Sequence, residues 1–492
     1  MFSATDPGPL AGTGAGFTEL TTCADAVSGA KRPAGPLPAG DPAEVLAAVL
    51  ARLGGDGLPE RGLGSAAALD LLARVLGEHG ADLAHPLAAA HLQPPPLSVA
   101  VAADALASTG NNSVDTYDSG PASIAVERWV VTGLAALAGY GPGSAGVFTP
   151  GGTLSNLTAL LLARDVAAAG RGLDARRDGV AALPRPVVFC SRVAHFSVHR
   201  ACAVLGLGEA AVRAVEVDAE HRMLPGALEE ALTRLAEGET PVAVVATAGT
   251  TDFGTVDPLR PLAEIARRHG VWLHVDAAYG FGALFSRRLA GRVDGIALAD
   301  SITADLHKIG WQPAAAGVLL VRDGTSFAAL DRSVAYLNPE DDRTQGYDGA
   351  LGRSLQTTRR PDAVKVAATF LAHGRAGLGE LLDRCHELTR RAEALISADD
   401  RLELVAGAHL TTVVFRYLVR DPARSGAVNA ELRRRLLRSG DALIGRTDVA
   451  GRTCLKLTLL NPAATEADLV DLLALVRQAG AATEDLFEEG AA

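Results

Sequence analysis

Five short segments of this 492-residue sequence carry residues able to do chemistry. The first is Thr149-Pro150-Gly151-Gly152-Thr153-Leu154-Ser155-Asn156, just ahead of an apolar helical run. Glycines and hydroxyls at a helix start suit an anion, because backbone N–H groups and the helix dipole both point at it. No Gly-Lys-Ser/Thr follows, so this is neither a Walker A loop nor a G-x-G-x-x-G turn. Alone, it reads equally well as a capped helix. The second, Ala194-His195-Phe196-Ser197-Val198-His199, sets two histidines four apart. There is no H-E-x-x-H and no third ligand, so a metal site is not expected. The third, Ala246-Thr247-Ala248-Gly249-Thr250-Thr251, adds hydroxyls at a tight turn. The fourth, His274-Val275-Asp276-Ala277-Ala278-Tyr279-Gly280, puts an acid at the end of a very apolar strand. A buried carboxylate is costly unless a cation or donor meets it, although a helix-capping role is the plainer alternative. The fifth runs from Asp300 to Lys308 and on through Ile309-Gly310-Trp311-Gln312-Pro313. Lys308, beside His307 and between apolar segments, suits an amine that forms a Schiff base, while a solvated loop lysine is the ordinary alternative.

Taken together the five segments match what pyridoxal 5′-phosphate requires. They offer a phosphate cradle, a flat ring to stack, an acid to hold the pyridinium N–H and a lysine to carry the cofactor.

The elements that must position these groups are legible as well. From about residue 130 to 325, β-rich runs alternate with amphipathic helical stretches. The strand candidates are 187–190, 212–217, 242–247, 271–275 and 318–321. Near-continuous apolar runs are those of strands buried on both faces of a parallel sheet. Helical segments at Leu228–Leu235 and Leu259–Arg268 make the crossovers of an α/β layer architecture. Ligands in such sheets bind beyond the carboxyl ends of the strands, where the five segments fall. Beyond residue 360 come a long helix to about 396, strands near 411–417 and 455–460, and helices at 427–438 and 466–477. This reads as a small α+β domain. Residues 1–42, rich in Ala, Gly, Pro, Ser and Thr, read as a flexible leader. Asp41-Pro42 then opens an N-terminal helical arm over 43–128. The expected domains are thus 1–42, 43–128, 129–360 and 361–492.

Composition excludes several classes. Lys+Arg is 46 and Asp+Glu 57, a formal charge of −11, which argues against a nucleic-acid partner. The five cysteines are scattered and odd in number, which fits neither a disulfide framework nor a zinc ribbon. They suit a reducing cytoplasm. No signal peptide or membrane-length apolar run is seen.

The motifs PGGTLSN, AHFSVHRA, TAGTTDFGTVDPL, HVDAAYG, DSITADLHK and SLQTTRRPDAVK resemble the group II pyridoxal-phosphate decarboxylases over roughly His85 to Thr465. Ser113-Val114-Asp115-Thr116-Tyr117-Asp118, Tyr336-Leu337-Asn338, Gln356-Thr357-Thr358-Arg359-Arg360 and Leu455 to Pro462 are most similar to the L-2,4-diaminobutyrate and related lysine and ornithine decarboxylases. The resemblance implies an α/β fold of type I, with a mostly parallel, seven-stranded-type sheet in the large domain. It also implies a homodimer with the active site at its interface, and a small-molecule amino acid as substrate. It assigns the Schiff base to Lys308, with His307 beside it. His195 would stack on the pyridine ring, Asp276 would meet the ring nitrogen, and Ala278 would pack on the other face. Gly152, Thr153, Thr251 and Ser301 would hold the phosphate. A tyrosine on a mobile loop would return a proton after CO2 leaves. Tyr347 is the expected donor and Tyr336 the runner-up. Ala88 stands near the position of the family's usual aromatic, and Lys456 stands where glutamate-type relatives carry an arginine. The alternatives are a glutamate, aspartate or cysteine sulfinate decarboxylase, or a decarboxylation-dependent oxidative deaminase giving an aldehyde.

Overall fold

The computed structural model describes residues 10–11, 17–55 and 57–489. Its contacts divide the chain into two compact units, Pro96–His386 and Met1–Pro95 with Glu387–Ala492.

The first unit is built on a seven-stranded sheet. Its strands in chain order are β1 (Ala145–Thr149), β2 (Pro186–Ser191), β3 (Val212–Val215), β4 (Thr240–Thr247), β5 (Trp272–Asp276), β6 (Ser301–Asp305) and β7 (Gly317–Val321). Their spatial order is β1-β7-β6-β5-β4-β2-β3. Only β7 runs antiparallel to its neighbours β1 and β6. The remaining pairings are parallel. Every residue of β6 and β7 is buried, as are most of β4 and β5, because helices cover the sheet. The helix Gly152–Ala169 puts Ala159, Leu160 and Leu162 into a core with Val147, Val188, Val245 and Leu319. The crossover helix Leu259–His269 buries Leu259, Leu262, Ile265 and Ala266. It ends in Arg267, Arg268 and His269, which suit the negative end of its dipole, and then a left-handed Gly270.

The second unit carries a five-stranded sheet. Its order is Ala88–Ala89, Leu443–Val449, Arg452–Thr458, Thr412–Tyr417, Leu402–Ala406. The helices Ser425–Ser439 and Glu466–Glu489 supply Val428, Leu432, Leu472 and Val476 to its core.

Two expectations about organisation need correction. The arm and the small domain do not separate at 128 and 361. Ala88 and Ala89 pair with Leu443 and Ile444, so the chain up to Pro95 joins the C-terminal sheet, while the helices Ser98–Thr109 and Pro121–Leu137 belong with the large sheet. The 1–42 leader is not wholly loose, because Thr18–Gly29 is a helix packed along Ser65–His79. Residues 1–9 and 12–16 lie outside the described residues. The arm's opening is as expected: Asp41 and Glu44 form a reciprocal capping box on the helix Pro42–Leu53. No described helix is long and apolar enough to cross a membrane.

Candidate active site

The chemistry-bearing residues gather at the carboxyl ends of the parallel strands. Asp276 ends β5, and Asp305 ends β6 with His307 and Lys308 just beyond it. The helix Gly152–Ala169 starts three residues after β1, leaving its first N–H groups without partners inside the helix.

Gly152 shows how tightly these parts close. A Cβ placed on it would lie 3.0 Å from Asp305 Oδ2, 3.2 Å from Ala278 Cβ and 3.4 Å from Thr303 Cγ2. One on Gly151, at φ 159°, would lie 3.5 Å from His307 Cε1. The turn therefore needs small residues, and it brings Gly152, Ala278, Asp305 and His307 into one cradle. Asp276 Oδ1 accepts the Ala278 N–H at 3.1 Å, and its Oδ2 accepts from Asn156 Nδ2 at 2.8 Å. Asn156 Nδ2 also donates to Ser197 Oγ at 2.9 Å, and Ser197 Oγ lies 2.8 Å from His195 Nδ1. Burial lowers the pKa of His195, against the opposing pull of Asp276. Burial likewise lowers that of His307, whose Nδ1 accepts the Ala316 N–H at 3.3 Å.

Lys308 Nζ meets Asp305 Oδ2 at 2.9 Å. The chain has four lysines, Lys31, Lys308, Lys365 and Lys456. Lys365 is 1% exposed between Asp104 and Asp362, and Lys456 is buried on its strand in the other unit. Lys31 precedes the capped helix, far in sequence from the cradle. Lys308 is thus the lysine that stands at the strand ends beside the glycine turn.

Most of the expected set therefore comes together: Lys308, His307, His195, Asp276, Ala278 and Gly152. Thr153 and Thr251 are exposed. Ser301 is a correction. It opens β6, four residues and about 13 Å of strand before Asp305. Its hydroxyl accepts from Trp272 Nε1 at 2.9 Å and meets His274 Nδ1 at 2.8 Å. It stands at the amino end of the sheet, away from any phosphate at Gly152. Tyr347 makes no contact with Lys308 or His195 among the described residues. Its ring sits edge-on to Tyr117 at 5.4 Å, and Ala350 N and Leu351 N bond to Val114 O and Asp115 O. Tyr336 is 82% exposed.

Sequence reasoning gave no role to Asn156, Ser197, His274, Thr303 or Asp305. The signal was there in spacing. His274 shares a strand face with Asp276, Thr303 shares one with Asp305, and Asn156 lies one helical turn after Gly152.

A cavity of about 1190 Å³ opens at the amino ends of the strands, lined by residues including Trp272, Asp300 and Arg322. Asp300 and Arg322 there are paired with each other, and none of the residues at the strand carboxyl ends line it. No group of three or more His, Cys, Asp or Glu among the described residues is placed to hold a metal.

The residues at the carboxyl ends fit pyridoxal 5′-phosphate. The cradle would be filled by a single Cβ, the acid is fixed with its oxygens oriented, and Asp305 Oδ1 is buried without a hydrogen-bond partner among the described residues.

Residues 84–418 match the conserved domain of pyridoxal-dependent decarboxylases. The chain is 44% identical over 412 residues to the L-2,4-diaminobutyrate decarboxylase of Rhizobium meliloti (strain 1021), covering 83% of this chain and 81% of that one. It is 35% identical over 443 residues to the L-2,4-diaminobutyrate decarboxylase of Acinetobacter baumannii, covering 88% and 87%. The crystal structure of the glutamate decarboxylase domain of diaminobutyrate-pyruvate transaminase and L-2,4-diaminobutyrate decarboxylase from Vibrio parahaemolyticus matches with a TM-score of 0.85. That match has 32% identity and covers 94% of each chain. With the matched domain spanning more than half of its length and the cradle in place, the chain belongs to the pyridoxal-dependent decarboxylase family.

Proposed function

We propose that this pyridoxal-phosphate-dependent carboxy-lyase acts on L-2,4-diaminobutyrate, with lysine and ornithine as weaker basic substrates. The observation that carries the substrate is the similarity to two diaminobutyrate decarboxylases over more than four fifths of the chain.

Bound cofactor supplies a conjugated ring that takes up the electron pair of the breaking Cα–carboxylate bond. The chain's own residues do the rest. Lys308 carries the cofactor, and Asp305 holds its Nζ at the mouth of the cradle. The start of the helix Gly152–Ala169 would hold the phosphate, with Thr153 and Thr251 as hydroxyl donors and His307 beside them. Asp276 would pair with the ring nitrogen. His195 and Ala278 would hold the ring between them. A tyrosine then returns a proton to the carbon that lost CO2. Tyr347, 55% exposed on its loop, is the proposed donor and Tyr336 the runner-up. Tyr347→Phe should then depress amine formation at least tenfold and, with dioxygen as the oxidant, divert turnover toward aldehyde, while Tyr336→Phe retains most activity. The reverse ranking would assign the proton to Tyr336. We further propose a cytoplasmic homodimer with the site at its interface, in line with the family resemblance. The exposed Trp129, Phe196 and Leu371 offer apolar surface for a second copy.

The test of substrate is CO2 release by purified protein across single amino acids. Diaminobutyrate should give the highest kcat/KM. Turnover of glutamate or cysteine sulfinate with none of any basic amino acid would overturn the assignment.

A further inference from the structure

We infer that Asn156 is a positioning residue that ties His195 to Asp276 and sets the tautomers of His195 and His274 through one ordered hydrogen-bond network. The inference rests on the assignment of His195 and Asp276 as the ring-facing pair.

The network has two ends whose roles are chemically fixed. Trp272 Nε1 can only donate, and it donates to Ser301 Oγ at 2.9 Å. An ionised Asp276 can only accept, and its Oδ2 receives Asn156 Nδ2 at 2.8 Å. Every proton between them is then determined. With its NH2 held on Asp276, Asn156 turns its acceptor oxygen toward His274, whose Nδ1 is left to accept the Ser301 O–H at 2.8 Å. His274 thus carries its proton on Nε2, which donates to Asn156 Oδ1 at 3.0 Å. Thr303 Oγ1 donates to the same oxygen at 2.7 Å. The two amide hydrogens of Asn156 go to Asp276 Oδ2 and to Ser197 Oγ at 2.9 Å. Ser197 then donates to His195 Nδ1 at 2.8 Å, and the Ser197 backbone N–H points at the same nitrogen at 3.3 Å. His195 is thereby held with its proton on Nε2.

Turning the Asn156 amide over would set its oxygen against Asp276 and its NH2 against the His274 N–H, so only one orientation satisfies the network. Asn156, Ser197, His274, Ser301 and Thr303 are 1% exposed or less, so water cannot substitute for a missing partner. Burial holds His274 neutral, its pKa lowered to about 4, as a ring with one donor and one acceptor nitrogen requires.

The test is nitrogen NMR of histidine-labelled, cofactor-free enzyme at pH 7, with signals assigned by loss in His195→Gln and His274→Gln. Both rings should be neutral with the proton on Nε2. Ser197→Ala should release the tautomer preference of His195 and leave His274 unchanged. Asn156→Ser, too short to bridge, should move both signals. It should also weaken cofactor binding by roughly 10- to 100-fold, the equivalent of one hydrogen bond to a charged group. A proton on Nδ1 of either ring, or an Asn156→Ser variant that leaves His195 unmoved, overturns the inference. The expected tautomers in a chain that binds no cofactor would support the network while refuting the functional assignment.

Discussion

Arg359 and Glu127 form an ion pair well away from water, with side chains 4% and 6% exposed. The guanidinium reaches both carboxylate oxygens, Nη2 to Oε1 at 2.9 Å and Nη1 to Oε2 at 3.0 Å, and Nη1 also donates to Phe148 O at 3.3 Å. Arg359→Met keeps much of the side-chain volume but strands the carboxylate. Its one remaining donor among the described residues is the Phe148 N–H, at a marginal 3.5 Å. Losing one partner of a buried pair costs about 3–5 kcal/mol, whereas replacing both with apolar groups of similar size is often neutral. The single variant should therefore lower the folding constant of its unit by roughly 150- to 4,000-fold. The double variant Arg359→Met with Glu127→Leu should recover most of that loss. Denaturant unfolding of the full chain, followed by fluorescence and by retained CO2 release, measures both. The cofactor residues are untouched, so activity at low denaturant should persist in all three proteins. A loss below about 1 kcal/mol for Arg359→Met, or a double variant no more stable than the single one, would refute the reasoning about a stranded buried charge.

Two further predictions concern the site. Gly152→Ala should weaken cofactor binding at least tenfold with little change in thermal unfolding, because the added Cβ meets Asp305, Ala278 and Thr303 at 3.0–3.4 Å; equilibrium titration of the cofactor-free enzyme reads this, and unchanged affinity would mean the cradle is roomier than described. His274 stays neutral when folded, its pKa lowered from 6.5 to about 4, so between those values the unfolded chain binds the extra proton. Stability should thus fall as pH drops from about 6.5 to about 4, and His274→Gln should show a shallower slope over that window in urea unfolding. Equal slopes would place a charged His274 in the fold.

How much of this was legible in the sequence depended on what each signal was made of. Valine- and alanine-rich runs marked β2, β4, β5 and β7 to within two residues, because strands buried on both faces must be apolar throughout. β6 went unrecognised as a strand because Ser301, Thr303 and Asp305 alternate along it as polar residues, each facing a partner inside the protein. The same alternation misled the reading of Ser301, whose hydroxyl serves Trp272 and His274 at the amino end of the sheet. The cofactor set was recoverable because glycine turn, acid and lysine each follow a strand, and such positions converge by topology. The unit boundaries were not, since the pairing of Ala88–Ala89 with Leu443–Ile444 is a contact across more than 350 residues with no local trace. Asn156 was hidden for a related reason: its role lies in four partners from three other elements, 41 to 147 residues away.

The central claim is that Lys308 holds the cofactor, and four lysines make it directly testable. Purified chain incubated with pyridoxal 5′-phosphate, reduced with borohydride and digested should carry the pyridoxyl mass on the Lys308 peptide alone. Lys308→Ala should lose the label, the visible absorption band of lysine-bound cofactor and CO2 release together while keeping its fold. Label on Lys31, Lys365 or Lys456, or persistence of the visible band in Lys308→Ala, would contradict the account.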